Sequence, residues 1–300
     1  MEFKKLVIEN FRNFNSIEIN LSNRNVIFGM NDSGKTNLLF AMRYLLDRSI
    51  RNKGFIKSDY HRHDTSIPIR IQLELDLSDR KMEEDEESLK SSHSRLLIST
   101  VAGARKNSSL DTFFISLEAI YDEKELFGNP VLSWGSTLDD LMEVPQYGTR
   151  SDIDKIFQIV YVNPAIEMDA FFKRNRKLLF SDDTKTDEDV DLEKAIESSI
   201  SELNKNISNL SLITRVQSQL TDAYKSYRKE DLEIKIQSEI SISGYLDNLT
   251  PYINWNGDTQ NYPTSGDGRK KLLSYAINHL ISEKQYSSKV IIYLIEEPEN

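Results

Sequence analysis

Apolar and polar residues alternate at the start of the chain, where Phe3, Leu6 and Ile8, then Ile17, Ile19 and Leu21, are set among charged or polar neighbours. A period near two belongs to a strand with one buried face. Two short strands are therefore predicted, joined by a turn around the Asn10–Ser16 stretch "NFRNFNS". The run Asn25–Phe28 predicts a third strand that feeds a loop. From Lys35 the period lengthens, and Leu38, Leu39, Met42, Leu45 and Leu46 fall on one face of an amphipathic helix. Alternation returns from Ile67 to Leu77, and further strands are expected at Thr112–Tyr121 and Phe157–Val162. The charge run "DRKMEEDEESLK", residues 79–90, reads as a solvated helix or loop.

The second half changes character. Residues 181–191, "SDDTKTDEDVD", are polar and acidic and predict a surface connection. Beyond them Ile196, Ile200, Leu203, Ile207, Leu210, Ile213, Val216, Leu220, Ala223 and Tyr227 recur in steps of three or four. Two helices paired as a hairpin, or one helix paired with a second chain, both fit that spacing. Leu232, Ile234, Ile236, Ile240 and Ile242 restore strand alternation. A helix over "RKKLLSYAINHLISE" and a strand over "VIIYLI" close the pattern. The expected class is α/β. A first lobe spans residues 1–164, a helical insertion and dimerisation element 165–230, and a second lobe 231–300.

Composition narrows the function. With 300 residues, 38% of them hydrophobic and 29% charged, the chain can build one large core or two ordinary ones. No apolar run approaches the roughly 18–20 residues that span a bilayer, so no membrane partner is expected. The absence of cysteine excludes disulfides, thiolate metal sites and cysteine nucleophiles, and makes a cytoplasmic location the default. A net charge of −10 means that nucleic acid would have to meet a local basic patch. The stretch "FFKRNRK", Phe171–Lys177, is one candidate, and a solvated helix face is the alternative.

The chemistry lies in three short stretches. "GMNDSGKT", comprising Gly29, Met30, Asn31, Asp32, Ser33, Gly34, Lys35 and Thr36, fits G-x-x-x-x-G-K-[ST] between a predicted strand and a predicted helix. The glycines let successive N–H groups turn toward one phosphate, and the following helix adds its positive end. Lys35 supplies a charge for the β- and γ-phosphates of ATP, and the Thr36 hydroxyl a ligand for Mg²⁺. Such a loop needs an acidic group at the tip of a neighbouring strand. "VIIYLIEE" offers Glu296 for the magnesium side and Glu297 to orient or deprotonate the attacking water. The third stretch, "TSGDG", sets Ser265, Gly266 and Gly268 before a helix, where a hydroxyl and free N–H groups can meet an anion. The order of the three is that of an ABC-type P-loop ATPase head, in which this serine-glycine turn closes on nucleotide held by a second head. Two smaller features stay open. His61 and His63 with Asp59 and Asp64 could ligate a metal or simply shape a loop. Arg12 could reach toward the nucleotide or be an ordinary surface arginine.

Together "NFRNF", "FGMNDSGKTNLLFAMRYLLD", "KSDYHRHD", "YPTSGDGRKKLLSYA" and "YLIEEPE" resemble the OLD (overcoming lysogenization defect) family of ATPase-nucleases, in particular its Gabija-type anti-phage defence subunits. The resemblance runs along all 300 residues and covers that family's N-terminal ATPase domain. It implies a RecF/SMC/OLD-like head, a dimerising helical insertion, homo-oligomers and a helicase-like defence partner. It also implies DNA as a target of the full assembly and a Toprim-type nuclease domain beyond the "EEPE" segment. No carboxylate set here can be assigned to a Toprim metal site, so the chain is expected to be the C-terminally truncated front part of a longer protein, without DNA cleavage of its own. A non-catalytic oligomerisation module and a RecF- or SMC-like repair head are the competing readings.

Overall fold

The computed structural model describes residues 1–81, 89–101, 103, 109–163, 168–180, 186–227, 232–240, 249, 251–253, 262–263 and 267–296. The chain forms two compact units, residues 1–164 with 278–300, and residues 165–277.

In the first unit the elements are β1 (Glu2–Phe11), β2 (Phe14–Asn20), α1 (Lys35–Leu46), α2 (Arg48–Arg51), β3 (Ile69–Asp76), α3 (Leu89–Thr100), β4 (Thr112–Asp122), β5 (Phe127–Gly135), β6 (Met142–Glu143), β7 (Gln146–Tyr147), β8 (Arg150–Ser151), α4 (Ile153–Ile156) and β9 (Phe157–Val162). Six of the strands form an antiparallel sheet in the order β2-β1-β3-β4-β5-β6. Its register follows the alternation in the sequence: Ile8 faces Ile17 on one side and Ile71 on the other, and Leu73 faces Ile115. Ile69, Ile71, Leu73 and Leu75 are fully buried along β3, while the residues between them are half-buried. Ile67, expected in this strand, lies outside its ladder, separated by Pro68, which has no N–H to donate. On the core side Leu38, Ala41, Met42, Leu45 and Leu46 of α1 join the buried cluster. Full burial of a leucine side chain, as at Leu45, contributes roughly 1.5–3 kcal/mol.

A third strand is expected over Asn25–Phe28. Residues 25–28 form no ladder among the described residues, and Val26 and Phe28 are 72% and 89% exposed. An apolar run becomes a strand only when a neighbour accepts its backbone hydrogen bonds, and no described strand lies beside this one. A separate parallel pair joins β9 to β12 (Val290–Ile295), with Phe157 opposite Val290 and Val162 opposite Ile295. No described helix is long and apolar enough to cross a membrane.

The second unit holds α5 (Met168–Leu179), α6 (Asp187–Ser208), α7 (Ser211–Tyr227), β10 (Tyr252–Ile253) and β11 (Tyr262–Pro263), while α8 (Asp267–Tyr286) carries residues of both units. Helix α6 opens with a capping box, in which the Thr186 hydroxyl accepts from the Asp189 N–H and the Asp189 carboxylate accepts from Thr186. The helical repeat thus resolves into two helices joined through Asn209 and Leu210. The strand expected over Leu232–Ile242 forms no backbone ladder among the described residues 232–240, and Ile242 lies outside them. Its alternate N–H groups, at Ile234, Ile236, Ser238 and Ile240, donate to the side chains of Thr221, Gln217, Ser208 and Asn204 at 2.8–3.0 Å. Period-two burial survives as far as Glu239, with even residues half-buried and odd residues exposed. Helix side chains, not a neighbouring strand, satisfy the backbone. In α5 the basic residues Lys173, Arg174 and Lys177 are exposed.

Candidate functional site

The loop from Gly29 to Thr36 runs into α1 through Gly34, whose φ of 100° is a left-handed value that only glycine adopts without strain. A Cβ there would also stand 2.2 Å from the Asn13 amide, and one at Gly29 would meet the Ser33 hydroxyl at 2.6 Å. Asn13, from the β1–β2 turn, donates to the Ser33 carbonyl at 3.3 Å and accepts from Asn37 at 2.8 Å. That turn therefore braces the loop. Lys35 folds back over it, donating to the carbonyls of Gly29 and Met30 at 2.7 and 2.8 Å. No side chain caps α1, and its first turn holds no acidic residue, so the first N–H groups of the helix remain open to an anion.

The sheet brings the far end of the sequence to this loop. The Thr36 hydroxyl donates to Glu296, at the tip of β12. The other Glu296 oxygen accepts from the Tyr161 hydroxyl, and the Glu296 N–H donates to Val162 at 3.3 Å. Tyr161 lies under the Arg43 guanidinium, 4.1 Å from its ring centroid. Burial pushes the Tyr161 phenol up to about 12, and its hydrogen bond to the Glu296 carboxylate and that group's charge act in the same direction.

Arg12 has a structural position beside this centre. Its Nε donates to Asp59 at 2.9 Å and its Nη1 to Asn37 at 3.0 Å, with the guanidinium 4.9 Å from the Phe40 ring centroid. The histidine-aspartate cluster is spent on loop geometry. His61 contacts the Arg12 carbonyl at 2.9 Å, the Ile56 N–H donates to Asp59, and Asp64 accepts from Ser66. Among the described residues no group of three or more histidine or acidic residues converges on a point where a metal could sit.

Glu297, Ser265 and Gly266 lie outside the described residues; Gly268 stands in the first turn of α8. The sequence pattern pointed to Lys35, Thr36 and Glu296 but gave no hint of Asn13, Asn37, Tyr161 or Arg43. Tyr161 and Glu296 come together only because β9 and β12 are parallel and in register, with Leu294 opposite Tyr161. The sole clue in the sequence was an aromatic residue near the end of a predicted strand.

Residues 1–129 match the AAA ATPase domain family. The whole chain aligns with the endonuclease GajA of Bacillus cereus (strain VD045), 46% identical over 299 residues. This chain is similar to GajA throughout its length. It spans half the length of that GajA protein. A more distant likeness joins it to the DNA replication and repair protein RecF of Clostridium acetobutylicum, 25% identical over 99% of this chain and 85% of RecF. A solved structure of the recombination mediator RecF with ATP aligns over 99% of this chain and 84% of its own, with a TM-score of 0.40 and 14% identity. The chain is thus similar to GajA along its whole length, and its first 129 residues match an AAA ATPase domain.

Proposed function

We propose that this chain is the ATP-binding and ATP-hydrolysing head of a Gabija/OLD-like anti-phage defence endonuclease. The observation that carries the reading is the meeting of Thr36 and Glu296 across 260 residues of sequence, beside a lysine that fills its own glycine loop. These donors suit ATP with a divalent cation. The loop N–H groups and the open end of α1 hold phosphate oxygens, and Lys35 exchanges its two carbonyl partners for the β- and γ-phosphates. Thr36 and Glu296 offer the hard oxygen ligands that Mg²⁺ prefers. Bound Mg²⁺ supplies neutralisation of the phosphate charge. Tyr161 keeps Glu296 turned toward Thr36, and Glu297 accepts a proton from, or orients, the attacking water.

In this reading Ser265, Gly266 and Gly268 of one head close on nucleotide held by another, so the working form is a homo-oligomer. Helix α6, which has no buried residue and exposes Leu192 and Leu203, supports a role for the insertion in that assembly. The endonuclease activity named for GajA would belong to sequence beyond the part that this chain matches, with ATP regulating cleavage of DNA and a helicase-like protein as partner. ATP binding and turnover by the 300-residue chain with Mg²⁺, measured beside Glu297→Gln, tests the proposal. Binding in both proteins with turnover only in the parent is expected. No binding by the parent chain would sink it. The likeness to RecF supports a second reading, a repair-type head. It would gain ground if ATP-dependent binding of gapped DNA appeared without any link to a nuclease.

A further inference from the structure

At the end of the β9–β12 pair opposite Glu296 lies a cleft of about 920 Å³, formed within the first unit where β12 and β9 begin. Its walls carry four cations, Arg48, Arg150, Lys155 and Lys289, and two carboxylates, Asp47 and Asp154. The carboxylates are already neutralised from outside the walls. Asp47 pairs with Arg43 at 3.4 Å, and Asp154 pairs with the buried Arg51 while accepting from the Ser151 N–H at 2.7 Å. Lys155 is likewise held by Asp152 at 2.5 Å. Three cations are left over. Arg48 donates to the Thr149 hydroxyl at 2.7 Å and Lys289 to the Asp154 carbonyl at 2.7 Å, and among the described residues neither they nor Arg150 forms an ion pair with a carboxylate. Burial lowers the Lys289 ammonium from the usual lysine range; nearby Asp154 opposes this and the charge of Arg150 adds to it. Two like charges that repel one another in a partly buried site are relieved by an anion between them.

Aromatic rings are interleaved with these charges. Tyr147 is 61% exposed, with Lys155 held 4.9 Å from its ring centroid, and Tyr286 lies 5.3 Å from the Lys289 ammonium. Cations that track phosphates beside rings on which bases stack are the combination that binds single strands. Against a chain with a net charge of −10, this concentration of unspent positive charge is local rather than general. The geometry points to a binding site for the phosphate backbone of single-stranded nucleic acid in this cleft. Arg48, Arg150 and Lys289 meet phosphates, and Tyr147 meets a base. The site shares no residue with the Gly29–Thr36 loop and does not depend on the ATPase reading.

The test is fluorescence anisotropy of a labelled oligo-dT strand of about twelve nucleotides with the whole chain, from about 50 to 200 mM salt. Three phosphate contacts predict a slope of log affinity against log salt near −2, from about −0.7 per contact on a single strand. In the doubly substituted Arg48→Gln, Arg150→Gln protein the slope should flatten by about 1.4. Tyr147→Ala should weaken binding by about 5- to 160-fold at unchanged slope. The conservative Arg150→Lys should keep the parent slope, which separates lost charge from lost folding. Failure of the parent chain to bind the strand would overturn the proposal, as would equal slopes in parent and double variant. Displacement of the strand by equimolar dTMP would also overturn it, because the cleft would then be a mononucleotide site.

Discussion

The two ends of the β9–β12 pair present opposite chemistry. At the carboxyl ends, Tyr161 and Glu296 gather oxygen atoms around Thr36. At the amino ends, Lys289 stands with Arg150 and Arg48 around a cleft. Lys289 and Glu296 are seven steps of chain apart, roughly 23 Å at about 3.3 Å per step. Parallel pairing puts like ends of both strands together, so the two ends of the pair can carry different groups. The oxygen-rich end offers ligands of the kind a hard cation takes, and the cationic end offers partners of the kind an anion takes.

The largest expected effect breaks the oxygen-rich end. Lys35→Ala removes the ammonium that bonds the Gly29 and Met30 carbonyls, and ATP binding by calorimetry should fall below detection. Binding at parental affinity would refute the phosphate assignment. Next, Glu296→Ala should remove the Mg²⁺ dependence of ATP binding, seen as equal affinities with Mg²⁺ and with EDTA. Gly34→Ala forces a left-handed φ and a contact with Asn13, at a cost of about 1–3 kcal/mol. It should lower both the melting temperature and the ATP affinity. A smaller loss sharpens the comparison: Tyr161→Phe deletes one hydrogen bond to a carboxylate, worth about 1.5–3 kcal/mol when sheltered and less here because the pair is partly solvated. The Mg²⁺ concentration for half-maximal ATP binding should rise several-fold, with the fold unchanged by circular dichroism.

The smallest effect is alkaline. Burial pushes Tyr60 up to about 12, and Tyr161 likewise. Both phenols are thus held neutral in the fold above an unfolded value of about 10. Their contribution to stability is complete below pH 10 and is lost as pH rises from 10 to 12. Tyrosinate absorbance should show these two phenols titrating late, and Tyr161→Phe should remove one of them.

Much of the fold was legible because burial on one face of a strand or helix leaves a period in the sequence. The first two strands, the helix from Lys35, and the strands from Thr112, Phe157 and Val290 form where that period placed them, and the strand expected over Ile67–Leu77 forms as Ile69–Asp76. The period failed where it could not name the partner. Asn25–Phe28 has the composition of a strand, yet lacks a ladder among the described residues. Leu232–Glu239 keeps its alternation while Asn204, Ser208, Gln217 and Thr221 take the place of a second strand. The strand Phe127–Gly135 was missed because Gly128, Asn129 and Pro130 interrupt its apolar pattern.

By itself the sequence determined the glycine loop Gly29–Thr36 and the acidic strand tip, since local conformation demands glycine at Gly34 and a carboxylate after an apolar run needs no distant information. Tertiary structure alone decided that Tyr161 and Arg43 would support Glu296, and that Arg48, Arg150 and Lys289 would share one cleft. Those groups lie as far as 253 positions apart, between Arg43 and Glu296, and only strand register and the paths of the connecting turns bring them together. A charge says nothing along the chain about which other charges it will face; that is fixed when the backbone hydrogen bonds choose their partners.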